Sequence, residues 1–211
     1  MSISNEAKHI RLPFWRKRAF AIFVVVLASS LLHLWSAWQL PLDADEPVYL
    51  SAAADYAEYI RAGDFQKIVD YPHNQEHPAL VKLVYSLGVL SVGPENDPSR
   101  LLFVTRLISA VFGVLSVLVV SLVDPLAGGL LAFHSMTLKY TSEAYLEALP
   151  MFASLAAVIA FEKAESGRGR WFWISAVALG AAVAGKYTYA VVILPLLYLI
   201  ISRRNVSFKL L

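Results

Sequence analysis

Long apolar runs separated by short polar stretches dominate this chain: Ala19–Leu40, Ala79–Gly93, Leu101–Val123, Pro125–Leu138, Ala148–Phe161 and Trp171–Ser202, the last broken by Lys186. A helix that crosses the hydrocarbon of a bilayer needs about 20 residues at 1.5 Å each. The first and third runs meet that length alone, and Trp171–Ser202 is long enough for two short helices meeting near Lys186. Ala79–Gly93 is shorter and contains Lys82, a pattern that predicts a helix lying at the interface. The stretch before it predicts an amphipathic helix over Pro47–Ala62, a stop at Gly63-Asp64, and irregular chain to Pro78.

The distribution of charge then orients the helices. If Ala79–Gly93 does not span, there are about six transmembrane helices with both termini cytoplasmic. The inside segments carry net +7, from the Arg16–Arg18 cluster, Lys163, Arg168, Arg170, Arg203 and Arg204 among others, and the outside segments carry net −5. Letting Ala79–Gly93 span would move the Arg168/Arg170 and Arg203/Arg204 clusters outside, against the positive-inside rule. The expected organisation is therefore an all-α integral membrane protein. A basic cytoplasmic N-terminus occupies 1–18 and a transmembrane module 19–202. A long extracytoplasmic loop with interfacial helices runs over 41–99, and a cytoplasmic tail over 203–211.

Composition agrees with that picture. Of 211 residues 58% are hydrophobic and 16% charged, with a mean hydropathy of +0.58, whereas soluble domains carry about a quarter charged residues. Lys8, Arg11, Arg16, Lys17 and Arg18 ahead of an apolar run resemble a signal peptide, but the run is too long and lacks a small-x-small cleavage site before Pro41. It is expected to be a retained first helix. The absence of cysteine excludes disulfides and thiolate metal sites. The basic residues form no nucleic-acid face, and there is no Gly-rich phosphate loop, nucleophile elbow or internal repeat.

Four places carry candidate chemistry. Asp43-Ala44-Asp45-Glu46 stands where the first helix ends. It reads either as an acidic cap before Pro47 or as a general base at the bilayer surface. Glu76-His77-Pro78-Ala79-Leu80-Val81-Lys82 reads either as a Pro-initiated interfacial helix with a snorkelling lysine or as cations at phosphate level. Glu143 and Glu147 are spaced for one helix face if that segment is helical. Lys186 is isolated among apolar residues, where a cation needs a partner or a polar cavity. His9, His33, His73, His77 and His134 show no ligand spacing.

Taken in order, these pieces resemble the N-terminal half of the GT-C glycosyltransferases, in the branch holding protein O-mannosyltransferases and lipid A aminoarabinose transferases. Asp45-Glu46 is similar to the family's acidic pair in the first outer loop, Tyr49 to a tyrosine following it, and Ile60-Arg61-Ala62-Gly63-Asp64-Phe65 to its "aGdf" turn. Glu76–Lys82 resembles the His-Pro-Pro-Leu-x-Lys pattern with Ala79 in place of the second proline, and Arg106–Gly113 resembles the helix that follows. Glu147 falls where the family usually has an Asp, and Gly185-Lys186-Tyr187-Thr188 with Leu194-Pro195 looks like "t-K-y-t…l-P". The likeness covers roughly Arg16 to Arg204. It departs at Ser142-Glu143 and at Val48, where relatives often carry an arginine.

The resemblance implies an inverting transferase that moves a sugar from a polyprenyl-phosphate donor to an acceptor hydroxyl on a protein, lipid or glycan. The site would be extracytoplasmic, in a bacterial or archaeal plasma membrane or an ER-like one. Asp45 would be the general base, with Glu46 orienting the acceptor or holding a cation. Lys186, His77, Lys82 and Arg106 would bind the donor phosphate, and Tyr49, Glu76 and Glu147 would line the substrate site. No cofactor is implied, and dependence on a divalent metal is left open. Family members usually continue through further helices. The alternative is a truncated or split, non-catalytic subunit that binds lipid-linked sugar or a second membrane subunit supplying those helices.

Overall fold

The computed structural model describes residues 14–92, 97–164 and 169–207. Glu6, Lys8, Arg11, Glu95, Glu165, Arg168 and Lys209 of the charge pattern lie outside the described residues, as do most of the expected N-terminal segment and the end of the tail. Among the described residues the chain is all-helical. In order come α1 (Phe14–Gln39), α2 (Glu46–Ala62), α3 (Gln66–Val69), α4 (Leu80–Val92), α5 (Pro98–Val123), α6 (Pro125–Phe133), α7 (Ser135–Tyr140), α8 (Ala148–Ala164) and α9 (Arg170–Gly185). A 3₁₀ turn (Tyr187–Val192) then leads into α10 (Ile193–Ser207). Two helical stretches, Arg16–Gln39 and Pro98–Val123, are long and apolar enough to cross a membrane.

Local sequence accounts for most of the boundaries. Asp97 caps α5 through Ser99 N–H, and Asp124 caps α6 through the N–H groups of Leu126 and Ala127, each followed by proline at the first helical position. Both satisfy backbone donors that a helix start leaves unpaired. Gly63 ends α2 at φ 71°, a left-handed conformation that costs a side-chain-bearing residue about 1 kcal/mol or more. One expectation needs correction. Pro125–Leu138 is not one helix, because the chain turns extended at His134 (ψ 111°), whose ring accepts from Thr137 N–H and starts α7 afresh.

The helices α1 and α5 run antiparallel and are stitched at both ends by arginine. Arg18 at the start of α1 donates to the Leu122 and Val123 carbonyls at the end of α5, where a cation suits the helix dipole. At the other end Arg106 of α5 reaches the carbonyls of Ala37 and Leu40. The helices α8 and α9 form the second tight pair. Ala153, Ala157, Ala160 and Ala182 are buried, and Ser175 donates to the Ala157 carbonyl at 2.8 Å. Small residues let two backbones approach closely. A Cβ on Gly185 would meet Pro150 Cγ at 2.5 Å and Val81 Cγ2 at 3.4 Å, so this glycine lets the end of α9 close onto the starts of α8 and α4.

The result has two unlike ends. One holds Arg18, Asp124 and, on α8 and α9, Lys163 and Arg170 over the Trp171 ring. The other gathers the 40–46 loop, α2, the 141–147 segment and Lys186. Between them the surface is apolar. Phe20, Phe23, Leu31, Trp35 and Trp38 of α1 are all at least 60% exposed, as are Trp173 and Val177 of α9.

Candidate functional site

The acidic end is built around a buried ion pair. Glu46 is fully buried, and its two carboxylate oxygens accept four hydrogen bonds. Oε1 takes Arg106 Nε at 2.7 Å and Ala144 N–H at 2.8 Å, and Oε2 takes Arg106 Nη2 at 2.6 Å and Asp43 N–H at 3.0 Å. The guanidinium also donates to the carbonyls of Ala37, Leu40 and Pro41. All five Arg106 donors are thus engaged. This pair joins α1, α2, α5 and the 141–147 segment. Within this arrangement Arg106 has no donor left for a phosphate, and Glu46 has no lone pair left for an acceptor.

Asp45, one residue earlier, is exposed. It stands at the N-cap of α2 with Glu46 and Pro47 opening the helix, the position that the acidic-cap reading gave it, but makes no side-chain cap hydrogen bond. Asp43 is held by two donors: Tyr145 Oη–H to Oδ1 at 2.5 Å and Lys139 Nζ to Oδ2 at 3.0 Å. Those bonds, the tyrosine's first, pull its carboxyl down to about 2. The Tyr145 hydroxyl is pushed up, chiefly by burial, and the acids Asp43 and Asp45 add to the shift.

Tyr49 links this group to the next. It is buried, its ring 6.0 Å from Tyr145 and 6.0 Å from His77. Burial, helped by the charges of Asp45, Glu147 and Glu76, raises its hydroxyl to about 12. Glu147 in turn pairs with Lys186, both about a quarter exposed. One Glu147 oxygen has no partner. Lys186 sits in extended backbone between α9 and the 3₁₀ turn, as its isolated position suggested.

The 71–82 segment forms the flank. Asn74 takes a left-handed φ of 54°, which asparagine tolerates better than most residues. Lys82 is 2% exposed and donates to the carbonyls of Asn74 and His77 at 3.0 Å each, with Asn74 Oδ1 at 3.4 Å. Burial lowers its ammonium. It neither snorkels nor leaves a proton pointing outward; it ties the turn to α4. Glu76 is exposed and accepts from the Asn74 amide. His77, with Tyr56, Tyr71, His73, Lys82 and Tyr187, borders a polar cavity of about 300 Å³, at the small end of ligand-sized clefts.

Two features were not legible beforehand. Glu143 and Glu147 do not share a helix face, because residues 141–147 are irregular between α7 and α8; Glu143 points into the protein while Glu147 meets Lys186. Tyr85 is the other. Its hydroxyl contacts Ser109 Oγ at 2.5 Å and donates to the Tyr145 carbonyl, pinning the irregular segment to α4 and α5. A tyrosine in an apolar helical run gives no sequence signal for such a role. Among the described residues, no group of three or more His, Asp or Glu side chains is placed to hold a metal ion. No family model, curated protein or solved structure matches this chain.

Proposed function

We propose that this protein is a membrane glycosyltransferase that moves a sugar from a polyprenyl-phosphate donor to an acceptor hydroxyl on the extracytoplasmic side. In this reading α1, α5, α8, α9, α10 and the broken α6–α7 pair make six spans, with α2, α3 and α4 at the outer interface. The shorter helices are accommodated by tilt and local thinning of the bilayer. Asp45 takes the proton of the acceptor hydroxyl as its oxygen attacks the anomeric carbon. The bond from that carbon to the phosphate oxygen breaks with inversion, and polyprenyl phosphate departs. Lys186 stabilises the charge that develops on the leaving oxygen, and Glu46, through Arg106, fixes the loop that carries Asp45.

The observation that carries this reading is that the Tyr49–Tyr145 ring contact, at 6.0 Å, joins the helix that Asp45 opens to the segment carrying the Glu147–Lys186 pair. The apolar girdle below them suits a bilayer and a prenyl tail. A second reading, a subunit that binds lipid-linked sugar without transferring it, draws on the full engagement of Arg106 and Lys82, which leaves few cations for a phosphate. Sugar transfer from polyprenyl-phosphate donors, measured in membranes, separates the two. Asp45→Asn is expected to lower turnover by about 10²–10⁴-fold, the usual worth of a general base, with donor binding retained. Full turnover in that variant would end the assignment of the base. Donor binding by the wild type without any transfer would favour the second reading.

A further inference from the structure

Glu143 is an acid at this end that the proposed chemistry does not use. It is 1% exposed, and its Oε2 has no hydrogen-bond partner. Its Oε1 lies 4.0 Å from Lys139 Nζ, beyond hydrogen-bond range, while that ammonium sits 3.0 Å from Asp43. The neighbouring Ser142 hydroxyl is also buried and unpartnered. The charged groups facing Glu143 are Lys139 of α7, Glu46 of α2, Arg106 of α5 and Asp43 of the α1–α2 loop. Glu46 and Arg106 neutralise each other, and Lys139 is already bound by Asp43.

An ionised carboxylate in such a place is buried, lacks a direct hydrogen bond at Oε2, and has for its charge only an ammonium at 4.0 Å that Asp43 already holds. We propose that Glu143 is a positioning residue that stands as a neutral carboxylic acid, which leaves Lys139 free to clamp Asp43 and so to hold the loop bearing Asp45. When Glu143 loses its proton, Lys139 lies between two carboxylates, the clamp on Asp43 is shared, and the loop loosens. Burial pushes the Glu143 carboxyl up to about 7, so the change falls close to neutral pH. The structural part of this inference stands without any reaction; its effect on transfer rests on the function proposed above.

The sign follows from linkage. An acid whose folded value is raised above the ordinary 4.5 favours the folded state most at low pH. That contribution falls away as pH climbs to about 7 and is gone above it. The test uses the full chain in detergent micelles, wild type and Glu143→Gln, over pH 5 to 9. Infrared difference spectra at pH 6 should show a protonated-carboxyl band that Glu143→Gln lacks. Thermal unfolding should give equal midpoints at pH 5, and at pH 8 a variant more stable on the order of 5 °C. In a transfer assay the variant should keep its rate to higher pH than the wild type.

No band difference at pH 6, or parallel stability profiles, would overturn the proposal. A Glu143→Gln chain that fails to fold would do so too, because glutamine mimics the neutral acid. A second measurement repeats the comparison in a Lys139→Met background. There the pH 8 gain from Glu143→Gln should grow, because Lys139 is the cation that favours the ionised acid, and an unchanged or smaller difference would refute the coupling. If band and stability behave as stated while no transfer is found with any donor, the protonation claim survives and the enzymatic reading fails.

Discussion

Glu46–Arg106 and Glu147–Lys186 are both acid–base pairs at the same end of the molecule, yet they have different physical characters. The first is almost fully buried, and every donor and acceptor on both side chains is used. Burying two charges is costly, and such a pair is tolerable only when its geometry is excellent and its remaining valences are met. The second is about a quarter exposed, with one carboxylate oxygen unpartnered and a lysine that donates to Glu147 alone among the described residues. Saturation with burial marks a group that holds structure, and solvent access marks a group that can still meet a ligand. By that criterion Glu46, Arg106 and Lys82 are scaffold, whereas Asp45, Glu147 and Lys186, on which the proposed function rests, keep contact with solvent.

Breaking the saturated pair should have the largest effect. Arg106→Met leaves Glu46 buried without its main partner and should destabilise the protein by about 3–5 kcal/mol, as is usual when one member of a buried pair is removed. Thermal or denaturant unfolding in micelles checks this, and the double variant Glu46→Leu with Arg106→Met should recover part of the loss. If Arg106→Met costs no more than Lys186→Met, the contrast between the pairs is false.

Tyr85→Phe sharpens the comparison at intermediate size. It removes the hydroxyl that contacts Ser109 and the Tyr145 carbonyl. A buried acceptor left unpaired costs about 1–3 kcal/mol, and proteolysis should become faster at residues 141–147. Lys186→Ala should cost less, about 1 kcal/mol or below, because its pair is partly screened by solvent. Its larger consequence should be weaker binding of a polyprenyl-phosphate donor, read by a competition assay.

The smallest effect is expected on acidification. Asp43, held down to about 2 from 3.8, contributes stability above the ordinary value that is lost only as pH falls through about 2. Asp43→Asn should therefore be slightly less stable than the wild type at pH 5–7, and acid unfolding of the two should converge as the pH falls from about 4 to about 2. Equal stability at pH 5–7, or a gap that persists unchanged below about pH 2, would point to another group.

Much of the helical outline was legible in the sequence because its signals are local. Proline after an acidic residue marks the starts of α2, α5 and α6, and Gly63 marks the end of α2. Lys186 interrupts a run long enough for two helices, and the chain breaks there. The His134 break was not legible, since the weak helix formers of Pro125–Leu138 are Gly128 and Gly129, and α6 runs through both before it ends. The partnership of Arg106 was hidden for a different reason: Glu46 lies 60 positions away, and sequence spacing carries no information about contacts over such a distance.

The pattern of apolar runs, caps and charge by itself determined that the chain is helical, where most helices start and stop, and that acids and bases segregate along it. Those properties arise from backbone hydrogen bonding and hydrophobicity within a few turns. Only the tertiary structure decided which charges are sealed and which stay open. Whether Arg106 meets Glu46, Lys82 meets the Asn74 and His77 carbonyls, or Glu143 is left without a donor depends on how helices pack, and burial is a property of that packing alone.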